Sequence, residues 1–183
     1  MTEQEKQSQL IGNFSEMVSV VNLFLSEFEK AFGNAETKKI LPTVEGVYMY
    51  GVVMHLGKIF SESKNEHFSL DKFRNHFPGM KDRVDQIYND HKDIIGKVKN
   101  NRDKLFAHTN RDFYELGFSQ IHIDKLKETF GTDFSRIKAI NKDQERYTPA
   151  DLHADLVEVK QMMQESDMLW KDALMLIDHD SIE

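Results

Sequence analysis

Apolar residues return at steps of three and four near the start of the chain. Leu10, Ile11, Phe14, Met17, Val18, Val21, Phe24, Leu25, Phe28 and Phe32 hold one face, which is the period of a long amphipathic helix. Gly33-Asn34 then supplies residues that tolerate the left-handed backbone at a helix end. A second block, Val44, Val47, Tyr48, Val52, Leu56, Ile59 and Phe60, follows Leu41-Pro42-Thr43, where proline suits the first turn of a helix but not its interior. Met49 and Val53 give this block a second apolar side, which predicts a central, largely buried helix. Its glycines, Gly46, Gly51 and Gly57, point to close helix–helix approach.

Residues 61–80 read as a connection, with a short helix capped at Ser69 and a break at Pro78-Gly79. From Lys81, the positions Val84, Ile87, Tyr88, His91, Ile94, Ile95 and Val98 predict a third long helix that continues through Arg102 and Leu105 to His108. The segment 110–147 is the least periodic; Ile121, Ile123, Leu126 and Phe130 fit a short helix between Gly117 and Gly131. Thr148-Pro149-Ala150-Asp151 is a capping box with proline at the first helical position. The stripe Leu152, Leu156, Val159, Met163, Trp170, Leu174 and Ile177 makes the last long helix. Four long helices plus short ones predict an all-α helical bundle, with a single domain over 1–183 and 110–147 as the place for a smaller helical insertion or appendage. An extra apolar face on such helices predicts a homodimer.

Composition narrows the function classes. Twenty-four Lys plus Arg against 31 Asp plus Glu give a net charge of −7, which disfavours gripping nucleic acid through bulk electrostatics but leaves room for a local basic site. With no cysteine, disulfides, thiolate zinc sites and cysteine nucleophiles are excluded. MTEQEKQSQL is polar and acidic, without the charged and apolar regions of a signal peptide. No run approaches a membrane span, so the expectation is a cytoplasmic protein with no membrane association. There is no Gly-rich phosphate loop, Gly-x-Ser-x-Gly turn, His-Glu-x-x-His helix or EF-hand loop. The histidines at 55, 67, 76, 91, 108, 122, 153 and 179 form no ligand pair at close helical spacing, so neither metal nor cofactor is expected. His91, on the apolar stripe, reads as a hydrogen-bonded core or interface histidine. Asp178-His179-Asp180 lies where helix termini fray.

The informative stretch is Asn100-Asn101-Arg102-Asp103-Lys104-Leu105-Phe106-Ala107-His108-Thr109-Asn110. Arg102 and His108 continue the apolar seam of the third helix, and a guanidinium in a seam requires a carboxylate, an anion or a cavity. Two positions six apart on one helix differ by about 120° around the axis and about 9 Å along it. Arg102 and His108 therefore meet at one small group only if the helix end frays or a second subunit contributes. The residues alone leave two readings open: a structural ion pair of Arg102 with a carboxylate such as Asp103 of a partner helix, with His108 as a C-terminal cap, or an anion site. Lys97, Lys99, Arg102, Lys104 and Arg111 make the neighbourhood locally basic. That pattern suits phosphates if they share a cleft, and suits a solvated face if they do not.

Arg-Asp-Lys-Leu-Phe-Ala-His-Thr at 102–109 resembles the signature of the HEPN superfamily, the higher eukaryotes and prokaryotes nucleotide-binding helical domain, in which an Arg is followed after four to six residues by a His. Among its branches it is most similar to the AbiU-type abortive-infection proteins. The local match is good over about ten residues, and the order of helices is compatible over roughly 10–178. The resemblance implies a dimer in which the motif helices of two subunits face each other, and a metal-independent endoribonuclease of phage defence or a toxin–antitoxin system. It implies that Arg102 binds the scissile phosphate, that His108 moves a proton, and that Asp103 orients one of them. Asn101, Lys104 and Arg111 would position RNA. It also implies an antitoxin or defence-system partner protein. Some HEPN toxins carry a modifiable Tyr two residues after the His; here that position is Asn110, which gives that mode of inactivation no support. Other members are catalytically silent and bind a nucleotide or a protein partner.

Overall fold

The first helix, α1 (Glu3–Ala31), begins at a capping box: Thr2 Oγ1 accepts from the Glu5 amide at 3.2 Å while the Glu5 carboxylate accepts from the Thr2 amide at 2.7 Å. Its three-and-four stripe buries Leu10, Ile11, Phe14, Val18, Val21, Leu25 and Phe28, whereas Met17, Phe24 and Phe32 stay partly exposed at the edges of that face. The helix closes at Gly33, whose φ of 77° is the left-handed conformation that glycine adopts without steric cost. The computed structural model describes residues 1–34, 44–66, 68–106 and 148–180, and for 103–106 and 178–180 the backbone alone. The expected Pro42 start of the second helix and the expected short helices of 110–147 lie outside the described residues.

Seven α-helices and no strand occur among the described residues, an all-α architecture. After α1 come α2 (Val44–Ile59), α3 (Leu70–His76), a 3₁₀ turn at Pro78–Met80, α4 (Lys81–Asp90), α5 (Lys92–Phe106), α6 (Pro149–Ala154) and α7 (Leu156–Asp180). The chain divides into two compact units, one made of Met1–Lys99 with Thr148–Glu183, the other of Asn100–Tyr147.

Within the first unit, α1 is the central helix and packs on α2, α3 and α7. Its N-terminal end is tied to the end of α3, with Gln7 Nε2 donating to the His76 carbonyl at 2.7 Å and Glu3 Oε1 at 2.5 Å from His76 Nδ1. Its C-terminal end meets the start of α7 through Glu29 and Lys160 at 2.6 Å. Phe14 and Phe73 meet edge to face with centroids 4.8 Å apart, both fully buried. Only the later part of α2 is core: Gly51, Val52, Val53, Leu56, Gly57 and Ile59 are buried, while Val47 is 49% exposed. This corrects the expectation of a helix buried through most of its length. Gly51 has the close approach read from the sequence, because a Cβ there would sit 2.7 Å from the Phe24 ring.

Two long helices expected from the sequence are each broken once. The stretch from Lys81 changes direction at His91 (φ −112°, ψ 21°), which separates α4 from α5. The stretch from Pro149 breaks at Asp155 (φ −86°, ψ 0°). Both breaks fall on residues whose side chains are committed across the bundle, His91 to α7 and Asp155 to α5. In α7 the core positions are Leu156, Val159, Met162, Met163, Ser166, Leu169, Ala173 and Ile177. Trp170 and Leu174, expected in the stripe, instead lie partly exposed, the latter at 42%.

Candidate functional site

Three side-chain ties fasten α4 and α5 to the helices that follow residue 148, in antiparallel order. Arg83 pairs with Asp172, His91 with Glu165 and Glu158, and Lys97 with Asp155. The central tie is the buried one. His91 is 2% exposed, its Nε2 is 3.1 Å from Glu165 Oε2, and its Nδ1 is 3.5 Å from Glu158 Oε1. His91 is thus the hydrogen-bonded core histidine that its place on the stripe predicts. Its partners could be sought in the sequence only as a seven-residue repeat of acids on the last helix, Glu158 and Glu165, which lie on one face.

The approach to the motif is anchored on Tyr88. Its ring carries Arg74 at 4.8 Å on one side and Lys99 Nζ at 5.6 Å, and Phe60 meets it edge on with centroids 5.8 Å apart. Arg74 is held in turn by Asp71 at 2.9 Å and Asp85 at 2.8 Å, and Lys99 by Glu62 at 3.3 Å. Burial pushes the Tyr88 hydroxyl far above the usual phenol range; Asp71 and Glu62 add to the shift and Arg74 opposes it. That hydroxyl is buried without a hydrogen-bond partner.

Two of the five basic positions around the motif are therefore committed to carboxylates. Lys97 lies 2.9 and 3.1 Å from the two Asp155 oxygens, and this bond, ahead of an opposing desolvation, raises its affinity for the proton. Lys99 is held by Glu62 and Tyr88 as above. Of the two readings of the basic stretch, a shared cleft for phosphates or a solvated face, these two lysines favour the second.

Beyond Lys99, α5 runs on through Asn100, Asn101, Arg102 and the backbone of Asp103 to Phe106. Asn101 is buried at 8% exposure and Arg102 is partly exposed, so the sequence-predicted site begins on a helix. Asp103 and Lys104 are placed on that helix by their backbone, while His108 and Arg111 lie outside the described residues. Asp178-His179-Asp180 continues the end of α7 as helix.

Among the described residues, a groove of about 230 Å³ in the first unit is lined by Asn13, Glu16, Met17, Val20, His55 and Phe68. His55 Nδ1 donates to the Gly51 carbonyl at 2.7 Å, and its ring lies 5.4 Å from that of Phe24. Among the described residues no group of three or more His, Asp or Glu is arranged to hold a metal ion. None of their helices is long and apolar enough to cross a membrane. No protein-family model, curated protein or solved structure gives a significant match to this chain.

Proposed function

We propose that this chain is a metal-independent endoribonuclease of HEPN type that works as a homodimer in phage defence or a toxin–antitoxin system. The observation that carries the reading is the 102–109 stretch, Arg-Asp-Lys-Leu-Phe-Ala-His-Thr, which begins in the last turns of the amphipathic helix α5 in a chain whose described residues are all-α. Partial exposure of Arg102 supports it, because a guanidinium sealed in the core has no access to a phosphate.

In this reading Arg102 makes charge-assisted bonds to the scissile phosphate, which strengthen as charge develops on its oxygens. His108 accepts the proton of the attacking 2′-hydroxyl or supplies one to the leaving 5′-oxygen. Asp103 orients one of the two, and Lys104 and Arg111 position RNA; Asn101, expected beside them, is buried and would act from behind Arg102. A dimer cleft resolves the helical geometry, since residues six apart on one helix are joined by the same residues of a second copy. The partner is an antitoxin or another defence protein, and no cofactor is needed.

The test is cleavage of a mixed single-stranded RNA pool in EDTA by the purified chain and by folded, dimeric Arg102→Ala and His108→Ala variants. Loss of a general acid–base group lowers the rate by about 10² to 10⁴-fold. Cleavage unchanged in both variants contradicts the assignment.

A second reading, a catalytically silent HEPN-like module that binds a nucleotide or a protein partner, is favoured by a different observation. Lys97 and Lys99 are neutralised by Asp155 and Glu62, and the chain carries a net charge of −7. A folded wild-type dimer that leaves RNA intact but retains a nucleotide through Arg102 would establish it.

A further inference from the structure

We propose that His91 with Glu158 and Glu165 forms a proton-dependent latch that fastens the α4–α5 break to α7. The inference stands on geometry and is independent of whether the chain cleaves RNA. His91 lies at the break itself, its imidazole is almost wholly buried, and each ring nitrogen faces a different carboxylate. Nε2 donates to Glu165 at 3.1 Å. Nδ1 has no hydrogen-bond partner and faces Glu158 at 3.5 Å.

A neutral ring carries one N–H. If Nε2 keeps it for Glu165, the bare Nδ1 lone pair, itself buried, confronts the half-exposed Glu158 carboxylate, an acceptor facing an acceptor. Uptake of one proton turns Nδ1 into a second donor, so that the imidazolium bridges both acids, which lie about two turns apart on α7. Of the three ties that join this arm to the helices after residue 148, Arg83–Asp172 and Lys97–Asp155 keep their charges at neutral pH. Histidine is the side chain that changes charge between about pH 5 and 8.

The remaining charged groups nearby do not replace it. Asp90, Lys92 and Asp93 flank the break in sequence, and all three are exposed. Glu165 is shared with Gln161 Nε2 at 3.0 Å, and Glu158 lies in the field of Lys97, which is itself bonded to Asp155. The latch is therefore closed on the acid side and loses the Glu158 arm as pH rises.

The test uses the ¹⁵N-labelled full chain, with long-range imidazole spectra and amide exchange followed across about pH 5 to 8. His91→Gln identifies the His91 signals by their loss. The wild type is expected to lose the proton from Nδ1 and keep it on Nε2. Glu158→Gln, which keeps the Glu165 bond, is expected to make Nδ1 lose its proton at lower pH than in the wild type. Exchange protection of the His91 and Ile95 amides, which bond across the break to Ile87 and His91 carbonyls at 3.2 and 3.0 Å, is expected to fall with that proton in the wild type. An unmoved midpoint in Glu158→Gln, or protection indifferent to the proton after correction for intrinsic exchange, overturns the latch. These readouts use the wild type and an exposed-side variant, so they stand even if His91→Gln folds poorly.

Discussion

Tyr88→Phe is expected to stabilise the protein, against the usual direction of substitutions in a packed region. The ring is in use: Phe60 packs edge on at 5.8 Å, and the cations of Arg74 and Lys99 lie 4.8 and 5.6 Å from its centroid. Its hydroxyl is not in use, being buried with no partner. A buried polar group left unpaired costs about 1–3 kcal/mol relative to its hydrated state. Phenylalanine keeps the ring contacts, gives up a little of the cation–π attraction and removes that burden, for a net gain of about 1 kcal/mol. In a chain of this size that corresponds to a melting temperature higher by about 2–4 °C.

Tyr88→Leu supplies the control. It removes the ring from both cations and leaves a partial cavity, for an expected loss of about 2–4 kcal/mol. Urea unfolding with both variants beside the wild type, at equal slopes, measures the two differences. A Tyr88→Phe variant less stable than the wild type by more than about 0.5 kcal/mol would refute the reasoning, because it would mean that the hydroxyl is satisfied.

Gly51→Ala is expected to destabilise by about 1 kcal/mol: overpacking against the Phe24 ring at 2.7 Å costs about 1–3 kcal/mol, and helix propensity returns about 1; a rise in the unfolding midpoint would contradict the close approach of α1 and α2. Thr148→Ala removes the cap of α6, for a loss of about 1 kcal/mol near neutral pH by the same denaturation. Bonds from the Thr148 hydroxyl and amide hold the Asp151 carboxyl below its ordinary value, so its contribution is complete above the unfolded-state value of about 3.9 and disappears as pH falls through the lower folded value. The gap between wild type and Thr148→Ala should accordingly narrow below about pH 4, and a gap that is constant down to pH 2 would count against the capping box.

The parts of the fold legible in the sequence were those set by short-range chemistry. The α1 stripe from Leu10 to Phe28, the left-handed Gly33 and the Thr148 capping box follow from the spacing of residues along one helix or at its end, and Gly51 showed that α2 comes close to a neighbour without naming Phe24 as that neighbour. The break at His91 was not legible, because Ile87, His91 and Ile95 keep the helical period and the backbone bonds 91 to 87 and 95 to 91 persist across it. The residue at the break pairs with residues 67 and 74 positions away, on a helix whose docking no local pattern announces. Trp170 and Leu174 show the same limit from the other side: they fit the period of α7, but the face α7 turns to its neighbours runs through Met162, Ser166, Leu169 and Ala173. At the candidate site, the sequence names Arg102 and places it on a helix, as found, while the commitment of Lys97 to Asp155 and Lys99 to Glu62 needed the third dimension.

The functional account is tested most directly by the chemistry of the RNA ends left after incubation with the purified chain in EDTA. Attack by the 2′-hydroxyl, with Arg102 on the phosphate and His108 moving the proton, leaves a 2′,3′-cyclic phosphate and a 5′-hydroxyl, and the account predicts those ends with the wild type and neither with Arg102→Ala nor His108→Ala. Ends bearing a 3′-hydroxyl and a 5′-phosphate, or cyclic-phosphate ends that persist in both variants, would contradict it.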